Sequence, residues 1–72
     1  MAKHGGIRDI VSLFHTERED NNRRFLSIGR ISERTGISQE RVRRILARNT
    51  TICRESRGRN PDVWTLLEFD RR

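Results

Sequence analysis

Residues 27–48 hold two short amphipathic stretches that meet at one glycine, and no other segment restricts the fold as much. Ser27 precedes the first stretch, where its hydroxyl can accept a hydrogen bond from a free backbone N–H two or three residues on. Ile28 and Ile31 then recur at helical spacing, so a helix is expected from Ser27 to about Thr35. Gly36 ends it, since glycine adopts a left-handed backbone without steric penalty. Ile37 should pin the turn into the interior, and Ser38 should cap a further helix over residues 38–48. In that helix Val42, Ile45 and Leu46 face inward, while Gln39, Glu40, Arg43, Arg44 and Ala47 fall on the other side. Ser32 is small enough to let the two helices approach closely. Neither helix has a complete capping box, because Arg30 and Arg41 stand where a glutamate would be needed.

Upstream, Ile7, Ile10, Val11 and Phe14 have helical spacing, with Leu13 beside them, and predict a first helix over residues 7–18. Glu17, Glu19 and Asp20 crowd its C-terminal end, where the macrodipole disfavours negative charge, so the helix is expected to fray or stop there. Residues 20–22 then form a polar loop, and residues 24–26 a brief extended stretch. After Asn49 the hydrophobic period shortens. Residues 51–54 and 63–67 are short β-rich runs separated by a turn-forming cluster over residues 56–62. They predict a two-stranded hairpin with a long basic tip and a possible short third strand at 24–26. By strand parity Ile52, Trp64 and Leu66 would cover the helical core, and Cys53 would be a small, half-buried strand residue. The expected fold class is α+β, mostly α, in one domain over residues 6–69 with short tails at 1–5 and 70–72.

Three helices followed by a hairpin is the element order of the winged helix-turn-helix, and the chain resembles that superfamily from about residue 7 to 68. The likeness is tightest over residues 27–48. There Ile31-Ser32-Glu33-Arg34-Thr35-Gly36-Ile37-Ser38 resembles the hydrophobic-small-x-x-x-Gly-hydrophobic-Ser turn of many bacterial and archaeal repressors. The resemblance makes Ile31, Ile37, Val42 and Ile45 the positions that fix the helix crossing. Trp64-x-Leu66 is similar to the aromatic-x-leucine of a second wing strand. No subfamily is singled out. The resemblance implies a recognition helix in the DNA major groove and a wing against the minor groove or the backbone.

Charge placement points the same way. The chain carries a formal +6, and residues 27–49 alone hold six arginines against Glu33 and Glu40. A GC-rich codon bias would explain arginine in place of lysine, but not this clustering. Gln39, Arg43 and Arg44 are the candidates for base edges, since arginine pairs with guanine and glutamine with adenine in bidentate fashion. Glu40 is expected to form an i, i+4 salt bridge with Arg44. Ser27, Arg30, Ser38, Arg41 and Arg48 are the candidates for backbone phosphates, which the N–H groups at a helix N-terminus also attract. In the wing, Arg57, Gly58 and Arg59 combine close backbone approach with charge suited to a narrow minor groove. Arg23 and Arg24 could add a backbone contact, and Arg34 could pair or remain solvated. Trp64 is expected in the core rather than as a stacking platform.

A chain of 72 residues buries only about 60% of its unfolded surface, and its hydrophobic content is 32%. That leaves little room for a deep pocket. No paired carboxylates or nucleophile–base pair converge in the expected fold, so no enzyme activity is expected. One cysteine cannot form an internal disulfide, no zinc-ligand spacing is present, and neither His4 nor His15 has a metal partner; His15 is expected to satisfy a last-turn carbonyl. No cofactor, small-molecule substrate or membrane association is expected, and the cytoplasm is the default compartment. One wing–helix module covers half of a typical operator, so a homodimer is expected, with Leu13, Leu67 and Phe69, apolar residues without an evident core role, as the candidate interface. The functional expectation is sequence-specific binding of double-stranded DNA by a transcription regulator. Two alternatives are a protein-interaction module docking an acidic partner and a non-specific architectural binder of nucleic acid.

Overall fold

A computed structural model describes residues 6–56 and 62–69. The described residues form helix α1 (Ile7–Asn21), strand β1 (Phe25–Ser27), helices α2 (Ile28–Thr35) and α3 (Gln39–Arg48), strands β2 (Cys53–Glu55) and β3 (Val63–Leu66), and a closing 3-10 turn (Leu67–Phe69). The result is a small, mostly helical α+β domain. No helix among the described residues is long and apolar enough to cross a membrane.

α1 runs to Asn21, past the expected stop at residue 18. Two local features offset the unfavourable charge at its end. Asn22 adopts a left-handed backbone at φ 54° and accepts a hydrogen bond from Arg18 Nη1 at 2.7 Å. Its N–H and that of Arg23 satisfy the carbonyls of Arg18 and Glu17. Glu17 itself does not face solvent but lies on the buried side of the helix, one turn beyond Phe14.

The turn between α2 and α3 follows the sequence closely. Ser27 Oγ accepts from the Arg30 N–H at 3.0 Å, and Ser38 Oγ accepts from the Arg41 N–H at 3.3 Å. Gly36 stands at φ 81°, and its N–H donates to the Ser32 carbonyl at 2.8 Å. Thr35 tightens the corner: its hydroxyl donates to the Ile31 carbonyl at 2.7 Å and accepts from the Ile37 N–H at 3.2 Å.

The hairpin gains the third strand. β3 lies in the middle of the antiparallel order β1-β3-β2, with Leu26 opposite Trp64 and Cys53 opposite Leu66. The Ile28 N–H donates to the Asp62 carbonyl at 2.8 Å, so the start of α2 is joined to the residue that precedes β3.

Strand parity on β2 differs from the expectation by one residue. Cys53 is fully buried, while Ile52 is 38% exposed. The Asn49 carbonyl accepts from the N–H groups of both Ile52 and Cys53 at 3.0 Å, so a turn follows α3 directly and the ladder starts at Cys53. A one-residue shift exchanges the two faces of a strand. Trp64 and Leu66 are buried as expected.

The core sits between the three helices and one face of the sheet. Ile10 and Phe14 come from α1, Ile28 and Ile31 from α2, Ile37 from the turn, and Val42 and Leu46 from α3. Leu26, Cys53, Trp64 and Leu66 close it from the sheet. Leu13 and Phe69, each partly buried, pack against this cluster. The Phe69 ring meets Phe14 edge-on at a centroid separation of 6.4 Å, and the Arg18 guanidinium lies 5.9 Å from its centroid. Leu67 is half-buried in the closing turn.

Candidate nucleic-acid interface

Burial of Val42 and Leu46 orients α3, and the charged residues between them are left in water. Gln39, Glu40, Arg41, Arg43, Arg44 and Arg48 are all exposed. Gln39 and Arg43 are one turn apart on the helix, and Arg44 adjoins Arg43. The first turns of α2 and α3 lie side by side, since a Cβ placed on Gly29 would be 3.8 Å from Gln39 Nε2 and 3.9 Å from Ser27 Oγ. Both capping serines therefore lie close to Gln39, at the N-terminal end of the candidate base-reading side chains.

Two of those side chains have partners within the domain. Arg44 Nη2 is 3.6 Å from Glu40 Oε2, the i, i+4 pair that the sequence suggests. Arg43 Nη1 donates to Asp62 Oδ1 at 2.9 Å, tying α3 to the residue that precedes β3. A linear reading does not show this contact, because 19 residues separate the two. Arg43 and Arg44 keep 54% and 58% of their side-chain surface exposed, so neither is sealed beneath the hairpin.

Arg30 departs from its expected role as a phosphate ligand. Its Nη2 lies 3.2 and 3.4 Å from the two carboxylate oxygens of Glu17, and only 33% of the side chain is exposed. Its Nε is buried without a hydrogen-bond partner. Arg34 Nη2 reaches the same carboxylate at 3.4 Å. The cause is Glu17, whose side chain is 1% exposed; a carboxylate taken out of water requires counter-charge. The Asn21 side-chain amide donates to it at 2.9 Å and is the main influence holding its pKa below the ordinary value; the two arginines add to this, against the opposing effect of burial. Glu17 continues the series Ile10, Phe14 at i+4 and i+7, a spacing that places it on the apolar face of α1.

Arg57, Gly58 and Arg59, the residues expected at a wing tip, lie outside the described residues. On either side of them the Ser56 N–H donates to the Val63 carbonyl at 2.7 Å, and Asp62 is exposed. His15 pairs with Glu68 Oε2 at 2.7 Å and does not cap a last-turn carbonyl, because α1 continues for more than a turn beyond it. Cys53 is enclosed beside the end of α3, with its Sγ 3.3 Å from the Asn49 carbonyl oxygen, and burial pushes its thiol pKa up to about 11. Among the described residues, no group of three or more histidine, cysteine, aspartate or glutamate side chains could hold a metal ion.

Compared with known proteins, the chain matches no family model, no curated protein and no solved structure.

Proposed function

We propose that this chain is a winged helix-turn-helix transcription regulator that binds double-stranded DNA, with α3 in the major groove and the segment between β2 and β3 against the minor groove or the backbone. The observation that carries this reading is the exposed row of Gln39, Arg43 and Arg44 on a helix whose other face is anchored by Val42 and Leu46. An α-helix fits the major groove, and these side-chain types match the donor and acceptor patterns of adenine and guanine. Arg41 and Arg48 on α3, with the N-termini capped by Ser27 and Ser38, supply the phosphate contacts. Reading a two-fold operator requires a homodimer with its recognition helices about 34–36 Å apart.

A mobility-shift titration on random duplex across salt concentrations tests the proposal. Neutralisation of about six phosphates gives a slope of log affinity against log salt of about −5. An affinity indifferent to salt would overturn it. Selection of bound duplexes from a random pool would then show base preference and half-site symmetry together.

A further inference from the structure

A carboxylate at the edge of a DNA-reading face repels phosphate, so Asp62 needs a reason to be there. Stability does not supply one. The Arg43–Asp62 pair is more than half exposed on both sides, and ion pairs in that setting contribute little to folding. Its geometry suggests another role. The Asp62 backbone is fixed, because its carbonyl accepts from the Ile28 N–H at 2.8 Å at the start of α2. Its side chain therefore holds Arg43 Nη1 from a defined position, at 2.9 Å.

We infer that Asp62 is a specificity-determining positioning residue: it orients the Arg43 guanidinium so that the remaining edge of the fork faces guanine. The guanidinium is planar and has five N–H donors in rigid array. The bond to Asp62 uses Nη1, which leaves the Nε and Nη2 hydrogens for two parallel acceptors such as guanine N7 and O6. An arginine fixed before binding loses less side-chain freedom on contact, and a tilted guanidinium cannot meet both acceptors. The inference rests on the DNA-binding reading above and adds a residue that touches no base.

The experiment compares the unaltered chain with D62A, D62N and R43A in selection from a random-sequence duplex pool, alongside salt titrations on unselected duplex. Both Asp62 variants remove one negative charge, so both should bind random duplex at least as tightly as the parent. Only D62N keeps an oxygen that can accept from Nη1. The expected result is a guanine preference at one position that R43A abolishes, that D62A reduces about five-fold or more, and that D62N retains in large part. A merely structural contact would leave the base profile unchanged. Neither substitution disturbs the backbone bond to Ile28, and matching thermal unfolding would confirm that the variants are folded. If D62A keeps the parent's preference at that position, or D62N loses it as fully as D62A, the positioning role is wrong while DNA binding stands. If the unaltered chain neither binds duplex nor selects a sequence, the DNA reading fails and takes this inference with it.

Discussion

Glu17 and Arg30 are 13 residues apart in sequence and meet at 3.2 Å between α1 and α2, with the carboxylate shielded from water and the guanidinium partly exposed. Arg34 reaches the same carboxylate, so two basic residues of the most positive segment are engaged inside the domain. This contact divides the arginines by role. Those of α3 project outward, while those of α2 brace the helix against α1.

Removing the carboxylate leaves two guanidinium groups short of a partner, one of them with a buried Nε. Glu17→Ala is therefore expected to lower the thermal midpoint by roughly 5–10 °C, with Glu17→Gln falling between it and the parent. Circular dichroism melts at neutral pH would read this directly. A midpoint unchanged in both variants would show that the cluster does not hold α1 to α2.

The same carboxylate sets an acid limit. Its folded pKa lies below the ordinary value of 4.5, so the folded state releases this proton more readily than the unfolded chain does. The stability it contributes is complete above that value and is lost as pH falls through the folded pKa. Melting between pH 6 and pH 2 should show a fall in midpoint below about pH 4.5 that is weaker in Glu17→Gln. Equal acid sensitivity in the two proteins would assign the effect to other carboxylates.

Cys53 shows the opposite sign. Its folded pKa is raised from 9.0 to about 11, so the folded state keeps the proton when the unfolded chain has lost it. Its contribution is complete below pH 9.0 and declines as pH rises toward 11. The thiol should be inert to an aromatic disulfide reagent in the native protein at pH 8 and react fully in denaturant. Rapid reaction without denaturant would mean that the sheet edge at β2 opens readily.

Core and surface separate cleanly at two isoleucines. Ile31 is fully buried, and Ile31→Ala should cost about 2–5 kcal/mol, a large share of the stability of so small a domain. Ile52 is 38% exposed, and Ile52→Ser should change stability by no more than about 0.5 kcal/mol. Denaturant titrations of the two variants would distinguish this β2 register from one in which Ile52 faces the core.

Local rules account for the parts of the fold that the sequence made legible. The caps at Ser27 and Ser38, the left-handed Gly36 and the inward Val42 and Leu46 each depend on neighbours within one or two turns, so their chemistry is visible in a linear reading. The pairing of β1 with β3, the Arg43–Asp62 contact and the burial of Glu17 depend on residues brought together by the tertiary fold. The acidic run at residues 17–20 suggested a fraying end, but only two of its three acidic residues are exposed. The third follows the apolar spacing and draws Arg30 and Arg34 toward it. The β2 parity depended on how quickly the chain turns after Asn49, which hydrophobic alternation alone does not specify.

Under the proposed DNA-binding function, the salt dependence of duplex binding tests the division of arginines. Arg48 is exposed on α3, and Arg48→Ala should weaken binding to all sequences and reduce the magnitude of the salt slope by about 1. Arg30 is committed to Glu17, so Arg30→Ala should lower the thermal midpoint and leave the slope nearly unchanged when measured well below that midpoint. Arg43→Ala should act in a third way, relaxing base preference at one position by roughly 1–3 kcal/mol of lost discrimination. If Arg30→Ala shifts the slope as Arg48→Ala does, Arg30 must leave Glu17 on binding, and the brace between α1 and α2 would loosen whenever DNA is held.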